Sequence, residues 1–225
     1  MKAPIAVALD APDISQLTAW SLSVAPIVDT LKVGLETYLR DGAAAVEAVR
    51  QTDCRLFLDL KLHDIPNTVA GACRSVQRFA PEFLTVHASG GAAMIRAAAD
   101  ALPETKIVAV TILTSLSHDD LTAIGFAGSP IEAVTRLASL AVDAGARAIV
   151  CSPMEVAAVR SVVPTSVTLI TPGVRPAGAD AGDQSRIATP EKAIADGADL
   201  VVIGRPITGA ADVAAAAASI ASGLV

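Results

Sequence analysis

Short runs of apolar residues alternate along the chain with longer, alanine-rich segments whose apolar positions recur at helical spacing. The apolar runs predict eight strands, near residues 4–9, 28–34, 54–61, 82–87, 106–112, 147–151, 166–170 and 199–203. The segments between them predict helices near residues 13–24, 37–50, 68–79, 91–101, 130–143, 153–161, 190–196 and 210–222. Eight strand–helix units in 225 residues predict a (β/α)8 TIM barrel, with residues 1–225 forming a single domain.

An open, doubly wound sheet is the structural alternative to the barrel. Such a sheet often carries a Gly-x-Gly-x-x-Gly turn after its first strand, and this chain has no such turn there. The pattern therefore favours the closed barrel.

Capping residues support these boundaries. The segment Asp13–Gln16 resembles a capping box, and Ser129–Glu132 and Ser152–Glu155 add a proline at the first helical position. Gly145 and Gly197 each follow a predicted helix and precede a strand, as left-handed helix terminators do.

The composition limits which residues can form the core and which partners the protein can bind. Apolar residues make up 52% of the chain but aromatic residues only 3%, so the core must consist of Ala, Val, Ile and Leu. That composition is typical of buried parallel strands covered by helices. The net charge of −6 argues against nucleic-acid and anionic-membrane partners, which need a basic face.

The cysteines and the chain termini suggest a cytoplasmic protein. Cys54, Cys73 and Cys151 are odd in number and lack Cys-x-x-Cys spacing, which favours buried thiols over a disulfide or metal site. The first residues lack the long apolar stretch of a secretion signal. The alanine-rich segment 210–225 is too short to span a bilayer.

Charged residues stand at the ends of the first three predicted strands. Asp59 and Lys61 alternate with leucines, so both are expected to point into the barrel mouth, where barrel enzymes keep their active sites. Lys32 lies between two apolar neighbours and faces the same way, and Asp10 ends the first strand. An ion-pair network without chemistry is the alternative, but four such charges at adjacent strand ends favour a catalytic cluster.

Two later segments predict an anion site. The segment Thr171–Pro176 follows the seventh strand and Gly204–Pro206 follows the eighth, where this fold commonly binds phosphate. Each segment carries an arginine, Arg175 and Arg205, whose planar guanidinium matches phosphate oxygens.

The histidines give no metal-site pattern. His63 and His87 have no second His or Cys at ligand spacing, so a metal role is not expected for either. His118 is predicted to lie in a surface loop.

These segments, taken in order, resemble the bacterial form of the orotidine 5′-phosphate decarboxylase family. The ten residues Asp59–Thr68 are the most specific match. The other matching segments are Ala8–Asp10, Leu31–Gly34, Val86–Gly91, Thr111–Ser115, Thr171–Pro176, Asp183–Arg186 and Val202–Pro206.

The resemblance implies cofactor-independent, metal-free decarboxylation of orotidine 5′-phosphate to uridine 5′-phosphate (UMP) in pyrimidine nucleotide biosynthesis. Lys61 would donate the proton, within a charge chain that includes Lys32, Asp59 and Asp64. Family members are homodimers, and the resemblance implies that Asp64 and Thr68 of each subunit reach the neighbouring active site.

The resemblance also implies the substrate contacts. Asp10 would hold a ribose hydroxyl, and Thr114 would contact the pyrimidine. The full implied binding set is Asp10, Lys32, Thr68, Thr114, Pro172, Arg175, Gln184, Gly204 and Arg205, of which Arg175, Gln184, Gly204 and Arg205 would surround the phosphate. The segment Pro176–Arg186, rich in Gly, Ala and Asp, is predicted to close over the substrate.

Three other functions stay open. A related sugar-phosphate decarboxylase would need Mg²⁺ and, by its family pattern, a Glu where this chain has Lys32. A phosphosugar isomerase or epimerase barrel would need a carboxylate or cysteine acid–base pair. A catalytically silent phosphate-binding protein would bind nucleotide tightly without turnover.

Overall fold

The computed structural model describes residues 2–176 and 188–224. Its eight parallel strands hydrogen-bond in sequence order and the first pairs with the last, so the sheet closes into a barrel. The strands are β1 (Ala3–Ala8), β2 (Val28–Gly34), β3 (Arg55–Leu62), β4 (Phe83–His87), β5 (Lys106–Val110), β6 (Ala148–Val150), β7 (Thr168–Thr171) and β8 (Leu200–Ile203). The predicted (β/α)8 barrel is confirmed, and the open-sheet alternative is wrong.

Helices cover the outside of this barrel. They are α1 (Ile14–Val24), α2 (Leu35–Asp41), α3 (Ala43–Arg50), α4 (Pro66–Val76), α5 (Gly91–Ala101), α6 (His118–Ala123), α7 (Pro130–Asp143), α8 (Val156–Val162), α9 (Pro190–Ala195), α10 (Arg205–Thr208) and α11 (Val213–Ala221). Short 3-10 turns lie at Gln77–Phe79, Ala88–Gly90 and Pro153–Glu155.

The structure differs from the predicted helices in three places. The predicted helix at 37–50 is two helices, because Gly42 has a φ of 55° and ends α2. The helices α6 and α10 were not predicted, since six and four residues are too few to show a period. His118 begins α6 and is exposed, so the predicted surface position is right and the predicted loop is wrong.

The predicted caps are present. Ser129 and Glu132 form a reciprocal capping box, and Asp13 accepts a hydrogen bond from the Gln16 backbone N–H. Gly145 and Gly197 have φ of 104° and 110°, the left-handed values expected after a helix.

The barrel has two apolar layers, which show on which side of the sheet each polar strand residue lies. The outer layer lies between strands and helices and contains alternate strand residues such as Leu31, Val33, Leu56 and Leu58. The inner layer fills the barrel with Ala6, Phe57, Phe83, Val108, Ala148, Ile170 and Leu200. Because neighbours along a strand point to opposite faces, the positions that follow Phe57 on the inner side are Asp59 and Lys61.

The cysteines are free thiols, as expected. Cys73 and Cys151 are buried, and burial raises their pKa to about 11 and about 12. Cys54 is partly buried, and burial raises its pKa as well.

Within residues 2–176 and 188–224, no helix combines the length and the apolar character that crossing a membrane requires.

Candidate active site

A cavity of about 560 Å³ opens at the carboxyl ends of the strands. Most of the predicted site residues line it: Asp10, Lys32, Asp59, Lys61, Thr114, Pro172, Arg175, Gly204 and Arg205. These residues come from distant parts of the chain, and the barrel brings them together because its parallel strands all end at one rim.

The carboxylate of Asp59 lies between two ammonium groups. Lys32 Nζ is 3.1 Å from Asp59 Oδ2, and Lys61 Nζ is 2.7 Å from Asp59 Oδ1. Burial by itself would raise the pKa of Asp59, but the charges of Lys32 and Lys61 outweigh it and lower that pKa to about 2. Asp59 is therefore an anion at neutral pH, with a cation on each side.

Lys61 reaches this position from an irregular part of β3. Its φ is 48°, a left-handed value that costs a non-glycine residue on the order of 1 kcal/mol. The β3–β4 register shifts between Leu58 and Leu62, so the strand bulges where Asp59 and Lys61 lie. Simple alternation predicted the correct side of the sheet for both residues but not this conformation.

Thr85 on β4 faces the bulge and was not singled out from the sequence. It is fully buried, and its hydroxyl lies 2.8 Å from the Lys61 backbone N and 3.1 Å from Asp59 Oδ1. The sequence does contain a signal for it: Thr85 is a polar residue between Leu84 and Val86, in the inward position of the strand.

Gly34 leaves the space that Asp10 and Lys32 need. A Cβ added at Gly34 would lie 2.9 Å from both Asp10 Oδ1 and Lys32 Nζ. The carboxylate and the ammonium therefore both approach the end of β2 closely. Glu36, two residues further on and exposed, also lines the cavity and was not predicted.

Another part of the cavity wall contains the residues predicted to bind an anion. Gly173, with φ of 75°, and Gly204 line the cavity together with Arg175 and Arg205. The Arg175 backbone N–H donates to the Ala188 carbonyl at 2.9 Å, which ties together the residues flanking 177–187. Gln184 and nearly all of the predicted closing segment Pro176–Arg186 lie outside the described residues.

Asp64 and Thr68 do not line the cavity of their own chain. Both are exposed, just after β3 and in the first turn of α4, respectively. Asp64 Oδ1 accepts a hydrogen bond from the Ile65 backbone N–H at 2.6 Å. Neither side chain contributes to the charge cluster of this subunit.

The rings of His63 and His87 lie beside the cluster, tilted by 35° to each other with centroids 5.4 Å apart. Burial, followed by the charges of His63 and Lys61, lowers the pKa of His87. His87 is therefore a neutral imidazole at neutral pH.

Across the described residues, no group of three or more His, Cys, Asp or Glu side chains has the arrangement of a metal site.

The cavity suits a small anion with one apolar face. Its charged lining includes four basic side chains, Lys32, Lys61, Arg175 and Arg205, against the acidic Asp10, Glu36 and Asp59. Apolar wall residues include Phe57, Val110, Ile112, Leu113, Val150 and Val202. A planar ring could rest on this wall with charged groups at both ends.

Comparison with known proteins identifies similar sequences over nearly the whole chain. A family model described as "Orotidine 5′-phosphate decarboxylase / HUMPS family" matches residues 3–220. The orotidine 5′-phosphate decarboxylase of Thermobifida fusca (strain YX) is 66% identical over 225 residues, covering 100% of this chain and 97% of the relative. The enzyme of the same name from Frankia casuarinae is 55% identical over 241 residues, covering 99% and 88%.

Solved structures give the same result. The orotidine 5′-phosphate decarboxylase of Lactobacillus acidophilus superposes with a TM-score of 0.86 at 35% identity, covering 99% of both chains. An uncharacterized conserved protein from Geobacillus kaustophilus also has a TM-score of 0.86, at 32% identity.

Proposed function

The chain belongs to the orotidine 5′-phosphate decarboxylase / HUMPS family, and we propose that Lys32, Asp59 and Lys61 carry out its decarboxylation chemistry. Near-full-length similarity to enzymes of that name makes it a carboxy-lyase that converts orotidine 5′-phosphate to UMP in pyrimidine biosynthesis. The observation that carries the proposed mechanism is the ionised Asp59 held between two ammonium groups in the cavity.

Loss of CO₂ leaves an electron pair on C6 of the pyrimidine, a carbon with no adjacent electron sink. The Lys61 ammonium supplies a fixed positive charge where this negative charge develops, in a site whose dipoles need no rearrangement. Its proton then moves to C6, so that the C6–carboxylate bond is replaced by a C6–H bond. The products are CO₂ and UMP, and Lys61 regains a proton from solvent.

Asp59 and Lys32 hold Lys61 in a charge network. With a pKa of about 2, Asp59 stays ionised and pairs with the Lys61 ammonium at 2.7 Å. Lys32 forms an ion pair with the second oxygen of Asp59, so the charge of the buried carboxylate is compensated on both sides. Asp59 also lies where the substrate carboxylate would approach, and repulsion between the two anions would favour loss of CO₂.

The remaining wall residues hold the substrate. Arg175 and Arg205 bind the 5′-phosphate through their guanidinium groups, with the Gly204 backbone beside them. Gln184, outside the described residues, is assigned to the same phosphate, and Pro172 contacts the substrate. Asp10 holds a ribose hydroxyl, and Thr114 contacts the pyrimidine. Binding energy at the phosphate end fixes the position of C6 beside Lys61.

A homodimer completes the site. Asp64 and Thr68 are exposed near the rim and absent from their own cavity, which is the placement expected of residues that serve a neighbouring subunit. Asp64 of the partner subunit extends the charge chain beyond Lys61, and the partner's Thr68 contacts the substrate.

The test of this function is to incubate the purified protein, dialysed against a chelator, with orotidine 5′-phosphate. Loss of ultraviolet absorbance and formation of UMP are expected without added metal. Turnover that disappears with the chelator and returns with Mg²⁺ would contradict the metal-free mechanism. Tight UMP binding without turnover would contradict the catalytic function itself.

A further inference from the structure

We propose that Thr85 is a positioning residue for the decarboxylation, because its buried hydroxyl fixes Asp59 and Lys61 relative to each other. The inference rests on the proposed function, in which these two side chains act beside the reacting carbon. Thr85 does not line the cavity, so it acts through its two partners and not on the substrate.

The β3–β4 pairing explains why a hydroxyl is needed at this position. Leu58 pairs with Leu84 and Leu62 pairs with Val86, so residues 59–61 stand opposite the single residue Thr85. A bulge of this kind deprives backbone groups of their regular ladder partners. The Thr85 hydroxyl replaces one of them, because it accepts a hydrogen bond from the Lys61 backbone N–H at 2.8 Å.

The donors and acceptors of both hydrogen bonds follow from which groups carry a proton to donate. The Lys61 N–H can only donate, so Thr85 Oγ1 accepts there and keeps its own proton for another acceptor. That acceptor is Asp59 Oδ1, at 3.1 Å. Thr85 is 0% exposed, so no solvent competes for these bonds. One side chain thereby links the left-handed backbone of Lys61 to the carboxylate that pairs with its ammonium.

Removing the hydroxyl would release both partners. The Lys61 N–H would lose its acceptor in a partly buried position, and the left-handed backbone at φ of 48° would lose that restraint. Displacement of a reacting group by about 1 Å can cost two orders of magnitude in rate. The phosphate contacts lie on other strands, so substrate affinity should change little.

The experiment compares three variants of the full chain in the orotidine 5′-phosphate assay. Thr85→Val keeps the branched shape and removes the hydroxyl, whereas Thr85→Ser keeps the hydroxyl. Thr105→Val is the matched control, because the buried Thr105 hydroxyl donates to the Pro81 carbonyl at 2.8 Å, at the opposite end of the barrel. We expect Thr85→Val to lower kcat roughly 10- to 100-fold while UMP affinity changes less than about twofold. Thr85→Ser and Thr105→Val should keep most of the wild-type kcat.

Amide hydrogen exchange supplies a readout that does not depend on catalysis. The Lys61 amide should exchange faster in Thr85→Val than in the wild type, and Thr85→Ser should restore slow exchange. A kcat for Thr85→Val within about twofold of wild type would overturn the proposal. Equal defects in the Val and Ser variants, or unchanged Lys61 exchange, would overturn it too. Failure of the wild type itself to produce UMP would instead refute the proposed function.

Discussion

The ammonium group of Lys61 lies 2.7 Å from the carboxylate of Asp59, although the two residues are separated by only one position on a strand that bulges between them. In a regular strand the Cα atoms of such neighbours lie roughly 7 Å apart on one face, a gap that the long lysine side chain can span. Here the contact forms where the backbone of Lys61 is left-handed.

Lys61→Ala should abolish turnover and leave the protein folded. The variant loses the proposed proton donor, but Asp59 keeps Lys32 as a charge partner at 3.1 Å, so no buried anion is left unpaired. Steady-state kinetics and thermal unfolding measure the two effects. Lys106→Ala is the control, because Lys106 also forms an ion pair, with Glu82 at 3.0 Å, at the other end of the barrel. Near-normal turnover in Lys61→Ala would remove Lys61 from the mechanism.

Arg205→Ala should weaken substrate binding much more than it slows chemistry. Loss of a charged hydrogen bond to phosphate predicts a KM increase of roughly 10- to 100-fold. Orotidine, which lacks the phosphate, should react equally slowly with the variant and the wild type. Arg50→Ala, an exposed arginine paired with Glu47, is the control. An unchanged KM for orotidine 5′-phosphate would show that Arg205 does not bind the phosphate.

Gly34→Ala should impair catalysis because the added methyl group crowds two side chains, and not because it strains the backbone. The φ of Gly34 is −92°, which any residue can adopt, but the new methyl group would lie 2.9 Å from Asp10 Oδ1 and Lys32 Nζ. Both side-chain ends must move, so we expect lower kcat/KM with a normal thermal unfolding transition. Wild-type kinetics in this variant would indicate that the positions of Asp10 and Lys32 are not critical.

Mixed dimers test whether Asp64 serves the partner subunit. Lys61→Ala and Asp64→Asn should each be nearly inactive alone. In a refolded equimolar mixture, half of the dimers are mixed and each of these has one intact site, which predicts about a quarter of wild-type activity. If Asp64 instead acts in its own subunit, every site of a mixed dimer is defective and mixing recovers no activity.

The stability of the protein should fall in acid partly through Asp59. Its pKa is about 2 in the folded protein, against a usual value of 3.8. Because the folded value is the lower one, the unfolded chain binds the proton first as the pH falls. The stabilisation is therefore present above about pH 4 and is lost progressively towards about pH 2.

Denaturant titrations of the wild type and Asp59→Asn at about pH 5 and about pH 3 measure this contribution. The free energy of unfolding should fall more steeply in the wild type than in the variant, since the variant has no proton to gain at this position. Identical losses in the two proteins would contradict the lowered pKa of Asp59.

Much of the site could be predicted from local patterns. The alternation in Leu58–Leu62 placed Asp59 and Lys61 inside the barrel, and the glycine–arginine segments after β7 and β8 predicted two sides of one cavity. Thr85 was missed because its role depends on a register shift between two strands. No spacing along one strand reveals how many residues of the next strand oppose it.

The sequence by itself determined the barrel, the inward face of each strand and the residue types at the rim, because strand and helix periods are local properties of the chain. Only the tertiary structure decided that Lys32, Asp59 and Lys61 touch and that the backbone of Lys61 is left-handed. It also left Asp64 and Thr68 outside their own cavity. These features arise from packing between segments distant in sequence, which can hold a strained conformation that local preferences alone would not select.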